Sequence, residues 1–160
     1  MQKTATQAES IQSALVGAFY SRFAVSDGFD FYFDSFVLSS REILSGDEAV
    51  INSRFLEGYA PARFTANLEF IAKSAVVAAC LGTEVSAVEV LPDSSLLLKF
   101  NNNVEIRLPT DTPIVDWHWA ITEAGGDPYL GSLAVCFAPG DIQCSMPNNS
   151  FKPNPLRGSA

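Results

Sequence analysis

The chain is poor in the residue types that most catalytic and metal chemistry requires. It has one histidine, His118, among 160 residues. A two-histidine mechanism and a histidine-based metal cluster are thereby excluded. Its three cysteines, Cys80, Cys136 and Cys144, show neither CxxC nor a zinc spacing. No metal site and no disulfide framework are expected from them. Phosphate-cradling GxGxxG and GxxxxGK[ST] loops are missing, as are HExxH and GxSxG. The most apolar run, Ser74 to Leu81, is far too short to cross a bilayer. Met1 to Thr6 has no apolar signal-peptide core. The expectation is a cytoplasmic protein with reduced thiols and no cofactor. Bases are scarce as well: 10 Lys and Arg against 18 Asp and Glu give a net charge of −8. That disfavours a grip on nucleic acid, which needs cations to displace phosphate counterions. It equally disfavours an anionic membrane surface. A basic protein partner remains, because a negative field speeds its encounter.

What is present is the composition of an ordinary globular protein, 48% hydrophobic and 18% charged. The length fits one domain over residues 1–150, with 151–160 as a loose tail. The charge is uneven. Met1 to Thr83 carries 9 acids and 6 bases, whereas Glu84 to Phe151 carries 9 acids against only Lys99 and Arg107.

Patterning predicts helices packed on one face of a mostly antiparallel sheet, an α+β domain. A helix is expected over Thr6 to Phe23, opened by the capping-box form Thr6-Gln7-Ala8-Glu9 and striped by Ile11, Leu15, Ala18, Phe19 and Phe23. Ser26-Asp27-Gly28 marks a turn, and Phe29, Phe31 and Phe33 then alternate with Asp30 and Tyr32 towards a second turn at Asp34-Ser35. These phenylalanines are assigned to the core, since a base-stacking platform would need cations and Asp27, Asp30 and Asp34 surround it instead. Ser45-Gly46-Asp47-Glu48 opens a short helix to Gly58. Another helix runs from about Pro61 to Leu81, with Gly82 as its left-handed stop.

From Leu81 to Thr122 the chain reads as strands. Val85, Val88 and Val90 slip phase once, which suggests a bulge near Ser86-Ala87. Leu96, Leu98 and Phe100, then Val104, Ile106 and Leu108, alternate across an Asn101-Asn102-Asn103 turn. Val115, Trp117, Trp119 and Ile121 share one expected strand face, with Asp116, His118 and Ala120 on the other. The Trp pair is read as core. Tyr129 to Phe137 is the last expected strand.

Candidate chemistry is thin. Asp116 and His118 have the spacing of an oriented general base, but no nucleophile is nominated, and a surface histidine beside a carboxylate explains the pair. No cysteine has the electropositive setting of an activated thiolate.

The pattern Leu81-Gly82, Val85, Val88, Asp93, Leu98, Phe100, Asn102-Asn103, Val104, Ile106 and Trp117 resembles that of small uncharacterised bacterial α+β domains, among them immunity proteins of polymorphic toxin systems. The resemblance covers about a quarter of the chain and consists of structural positions, with Asn103 where those domains usually carry a turn glycine. It implies a small cytosolic protein that binds one cognate toxin and blocks its active site. It transfers no catalytic residues.

The expected function is therefore a non-enzymatic binding protein, an immunity or inhibitor protein for a basic toxin such as a nuclease. Glu84, Glu89, Glu105, Asp111 and Asp116 are its candidate partner-binding carboxylates. Two alternatives stay open: a small-ligand protein or enzyme with a pocket between helices and sheet, and a structural subunit of a phage or secretion system.

Overall fold

The computed structural model describes residues 2–58, 68–123 and 127–145. Helix α1 (Gln2–Leu15) is followed by strands β1 (Tyr20–Val25), β2 (Phe29–Phe33) and β3 (Val37–Ser40), then helices α2 (Glu48–Gly58) and α3 (Leu68–Ala79). Strands β4 (Val85–Val90), β5 (Leu96–Phe100), β6 (Glu105–Leu108) and β7 (Trp119–Thr122) come next. The one-turn helix α4 (Pro128–Gly131) and strands β8 (Ser132–Ala138) and β9 (Asp141–Cys144) complete the order.

The α+β class holds, and all pairings between strands are antiparallel. The strands form two sheets: six strands in the order β1-β2-β3-β7-β8-β9, and three in the order β4-β5-β6. Both turn one face to a common core, where Tyr20, Phe31 and Trp119 of the first join Leu98, Phe100 and Ile106 of the second. Tyr20 and Phe100 pack with ring centroids 5.7 Å apart. Phe29, Phe31 and Phe33 of β2 are all buried, as their spacing predicts, and Phe36 just before β3 is buried with them.

Backbone hydrogen bonds stitch the sheets at a seam. Gly17 N donates to Val85 O, Val85 N to Ala18 O, Tyr20 N to Thr83 O, and Gly82 N to Tyr20 O. A second stitch joins Leu44 and Arg107, which exchange both backbone bonds. Helix α1 buries Ile11, Ala14 and Leu15 and reaches an edge strand of each sheet. Gln12 Nε2 donates to Val88 O of β4, and Gln7 Nε2 to Ile142 O of β9. Helix α3 lies against β1, where the Tyr20 hydroxyl donates to Val77 O at 3.0 Å.

Burial also shapes the contact between α3 and the segment before α2. The Lys73 side chain, 4% exposed, reaches Glu42 at 2.7 Å, Glu69 at 3.1 Å and Glu48 at 3.7 Å, and donates to Ile43 O. Glu48 also accepts from Ser45 N at 2.7 Å, the carboxylate half of the expected capping box.

Several boundaries depart from the pattern reading. The first helix ends at Leu15, because Gly17 takes a left-handed conformation (φ +84°) and residues after it pair as strand instead of continuing the stripe. Thr6 accordingly lies inside α1 and does not cap it. Gly82 (φ +81°) is the expected stop after α3, although the expected start of that helix at Pro61 lies outside the described residues. The bulge falls between Val85 and Ala87, as the valine phase predicts. Trp117 is not on the Trp119 face. Strand β7 begins only at Trp119, and Trp117 packs on the outer side with Ala120 and Val135. Residues 129–131 fall in α4 where strand was expected, and the polar segment after Pro139 supplies β9. The proposed tail, 151–160, lies outside the described residues.

Candidate functional site

Strand alternation sends Asp30 and Tyr32 of β2 outward while their Phe neighbours face the core. On that outer face Asp30 pairs with Ser39, Tyr32 with Val37, and Val37 in turn with Thr122 of β7. These residues line a cleft of about 210 Å³, with Asp27 of the β1–β2 turn, Arg41 and Trp117 also along it.

Arg41 organises this edge. It follows β3 directly, and its backbone N–H donates to His118 O, which fixes its position beside β7. Its guanidinium lies 3.9 Å from the centre of the Trp117 ring, a cation–π stack. Nη2 donates to Asp116 Oδ1 at 3.2 Å, and Nη1 lies 3.6 Å from Asp27 Oδ2. The Tyr129 hydroxyl of α4 lies beside the same Asp116 carboxylate, and its polar influence, with help from Arg41, holds the Asp116 pKa below the ordinary carboxylate value. The same contact raises the Tyr129 phenol. Trp117 is only 9% exposed, whereas Asp27, Asp116 and Tyr129 are exposed. A pre-stacked arginine on a rigid Trp, rimmed by a Tyr and carboxylates, has the residue chemistry of a binding hot spot. Arg22 stacks on Tyr32 of the same face at 4.4 Å, so Asp27, Asp30 and Asp116 stand against two cations among the described residues and leave a small acidic surplus.

The expected carboxylates do not form one patch. Glu84 is exposed at the seam, where it bridges Phe19. Glu89 and Glu105 are exposed on the three-stranded sheet, with Glu105 opposite Lys99 in register. Asp111 and Asp116 are exposed on the loop between β6 and β7, and only Asp116 joins the Arg41 cluster. Sequence reading missed Arg41, Asp27 and Tyr129. The one available signal was the set of outward residues that strand alternation places opposite the buried phenylalanines.

His118 is not a surface histidine. It is 7% exposed, and its Nδ1 meets no hydrogen-bond partner among the described residues. Burial pushes its pKa below the ordinary histidine value, against the field of Asp111. Asp116 bonds to Arg41 and lies beside Tyr129, so the sequence neighbour does not supply an oriented dyad. All three thiols are free. Burial raises Cys80 to about 11 and Cys136 to about 12, and neither is a ready nucleophile. Among the described residues no group of three or more His, Cys, Asp or Glu could hold a metal ion.

No family model, no curated protein and no solved structure matches the chain. Among the described residues no helix is long and apolar enough to cross a membrane.

Proposed function

We propose that this chain is a cytoplasmic protein-binding module that holds a basic protein partner, as an immunity or inhibitor protein holds a toxin domain. The observation that carries the reading is the ledge of Arg41, Trp117, Asp116 and Tyr129 on the outer sheet face. It presents exposed carboxylates around a rigid aromatic–guanidinium stack. A basic toxin such as a nuclease needs cations for its own phosphate substrate, and those cations complement this acidic rim. The resemblance of the Leu81 to Trp117 pattern to immunity-type domains supports the same reading.

The cleft raises a second reading, a small ligand, which its size and place oppose. Its volume of about 210 Å³ falls short of the roughly 300–1,000 Å³ of usual ligand pockets. It also opens on the outer sheet face and not between helices and sheet. A macromolecular surface is the better fit.

The test is a tagged pull-down from a lysate of the cells that make the protein, at low and at high salt. One stoichiometric basic protein, released by salt, is the expected result. Self-association on a sizing column with no such partner would instead favour an assembly subunit, and a ligand-induced thermal shift would favour the small-ligand reading.

A further inference from the structure

Among the described residues three that are not glycine have positive φ: Ser94 (66°), Asn103 (66°) and Ile114 (58°). Ser94 is small, and it is held by use on both sides: its carbonyl accepts from Trp119 Nε1, and its hydroxyl accepts from Gly140 N. Asn103 sits in a tight turn, where asparagine tolerates this conformation. Ile114 has neither excuse. A β-branched side chain in the left-handed region is an outlier, and here the side chain is fully exposed. It gains no packing in the folded chain to offset the strain.

The loop that carries it is nevertheless pinned on both sides. Upstream, Pro109 and Thr110 are buried, and the Thr110 hydroxyl donates to Asp93 O at 2.6 Å. Downstream, Asp116 is tied to Arg41 beside Tyr129, and Trp117 lies under the Arg41 guanidinium. Ile114 is thus an exposed apolar knob on a loop anchored at both ends, three residues from the stacked tryptophan. Its loop carries two exposed acids, Asp111 and Asp116, and no base. Strained backbone held by its surroundings is a recurring mark of functional sites.

We infer that Ile114 is the apolar anchor of the partner interface, and that its occupant is an apolar pocket rimmed by Lys or Arg on a basic protein. This deepens the proposed function and rests on it. A knob on a loop anchored at both ends loses less freedom on binding than one on a free loop, while Asp111 and Asp116 meet the basic rim and set its register.

Four immobilised proteins decide the matter: wild type, Ile114→Asn, Ile114→Leu and the double variant Asp111→Lys/Asp116→Lys. Each is incubated with the same lysate at low salt and eluted at high salt, and the released basic proteins are quantified. The expected result is one basic protein held by wild type, held within a few-fold by Ile114→Leu, and reduced at least about tenfold both by Ile114→Asn and by the charge reversal. Ile114→Asn should also melt about 2–4 °C higher than wild type, because asparagine relieves the strain. Retention of that protein by Ile114→Asn at the wild-type level, with loss in the charge reversal, overturns the anchor and leaves the basic-partner reading standing. A lower melting temperature in Ile114→Asn shows that the residue serves the fold, and also overturns the anchor. No basic, salt-released protein on the wild type overturns both readings.

Discussion

Two buried ionisable side chains show how far a residue's role depends on what surrounds it. Lys73 is enclosed, yet Glu42, Glu48 and Glu69 converge on its ammonium. Burial alone would lower its pKa, but the hydrogen bonds it donates to Glu42 and Glu69 and the fields of Glu42 and Glu48 outweigh it, and the net shift is upward. Lys73→Met removes the cation on which these carboxylates converge, leaving Glu48 and Glu42 uncompensated while Glu69 is largely exposed and screened. It should cost about 1.5–3 kcal/mol of unfolding free energy, read from urea denaturation at neutral pH. Loss of under 1 kcal/mol would show the cluster to be solvated. His118 is the opposite case, buried with its pKa depressed. In the unfolded chain it protonates near pH 6.5, while the folded chain resists the proton, so its contribution is intact above about pH 6.5 and is lost as pH falls through the lower folded value. Between pH 7.5 and 5, wild type should therefore lose more stability than His118→Gln. Parallel curves for the two proteins would remove His118 from the account.

Elements were legible where a strict period met a competent turn. The strands β5 and β6 needed only Leu96, Leu98, Phe100, Ile106 and Leu108 in alternation, and the Asn turn between them. The stop of α3 needed only Gly82. Where a segment satisfied two periods, the choice was made by distant partners. Phe19 and Phe23 continue the helical stripe of Ile11 and Leu15, but Phe19 bridges Glu84 and Phe23 pairs with Phe31. Gly17 carries that switch from helix to strand, and its φ of +84° is strained for any side chain. Gly17→Ala should destabilise by about 1–2 kcal/mol, seen as a lower denaturant midpoint at unchanged slope. A neutral result would mean that the junction can rearrange. The two tryptophans failed for a related reason: alternation holds only inside a ladder, and β7 starts at Trp119. The ledge was hidden because Asp27, Arg41, Asp116 and Tyr129 come from four separate segments, and no local pattern relates them.

At the scale of the whole molecule the net charge of −8 says less than its placement. On the three-stranded sheet part of the acidic charge is met by bases: Glu105 stands opposite Lys99, and Arg107 reaches Asp93 at 2.7 Å, while Glu89 stands opposite Leu97. Around the ledge, Asp27, Asp30 and Asp116 outnumber Arg41 and Arg22, which stacks on Tyr32, and Asp111 adds to them on the loop above. A basic partner drawn by the overall field should therefore dock by the ledge. Long-range attraction acts mainly on the association rate and fades with salt, whereas fixed contacts act on dissociation. Charge reversal at Glu89 and Glu105 changes the field but not the ledge, so it should slow association by a modest factor and leave dissociation unchanged. Reversal at Asp111 and Asp116 changes both, and the loss should be about tenfold or more. Surface plasmon resonance against the captured partner at two salt concentrations separates the cases. Equal losses for the two pairs would mean that the partner senses only the net charge, and the ledge would lose its claim to be the docking site. A larger loss for Glu89 and Glu105 would move that site to the outer face of the small sheet.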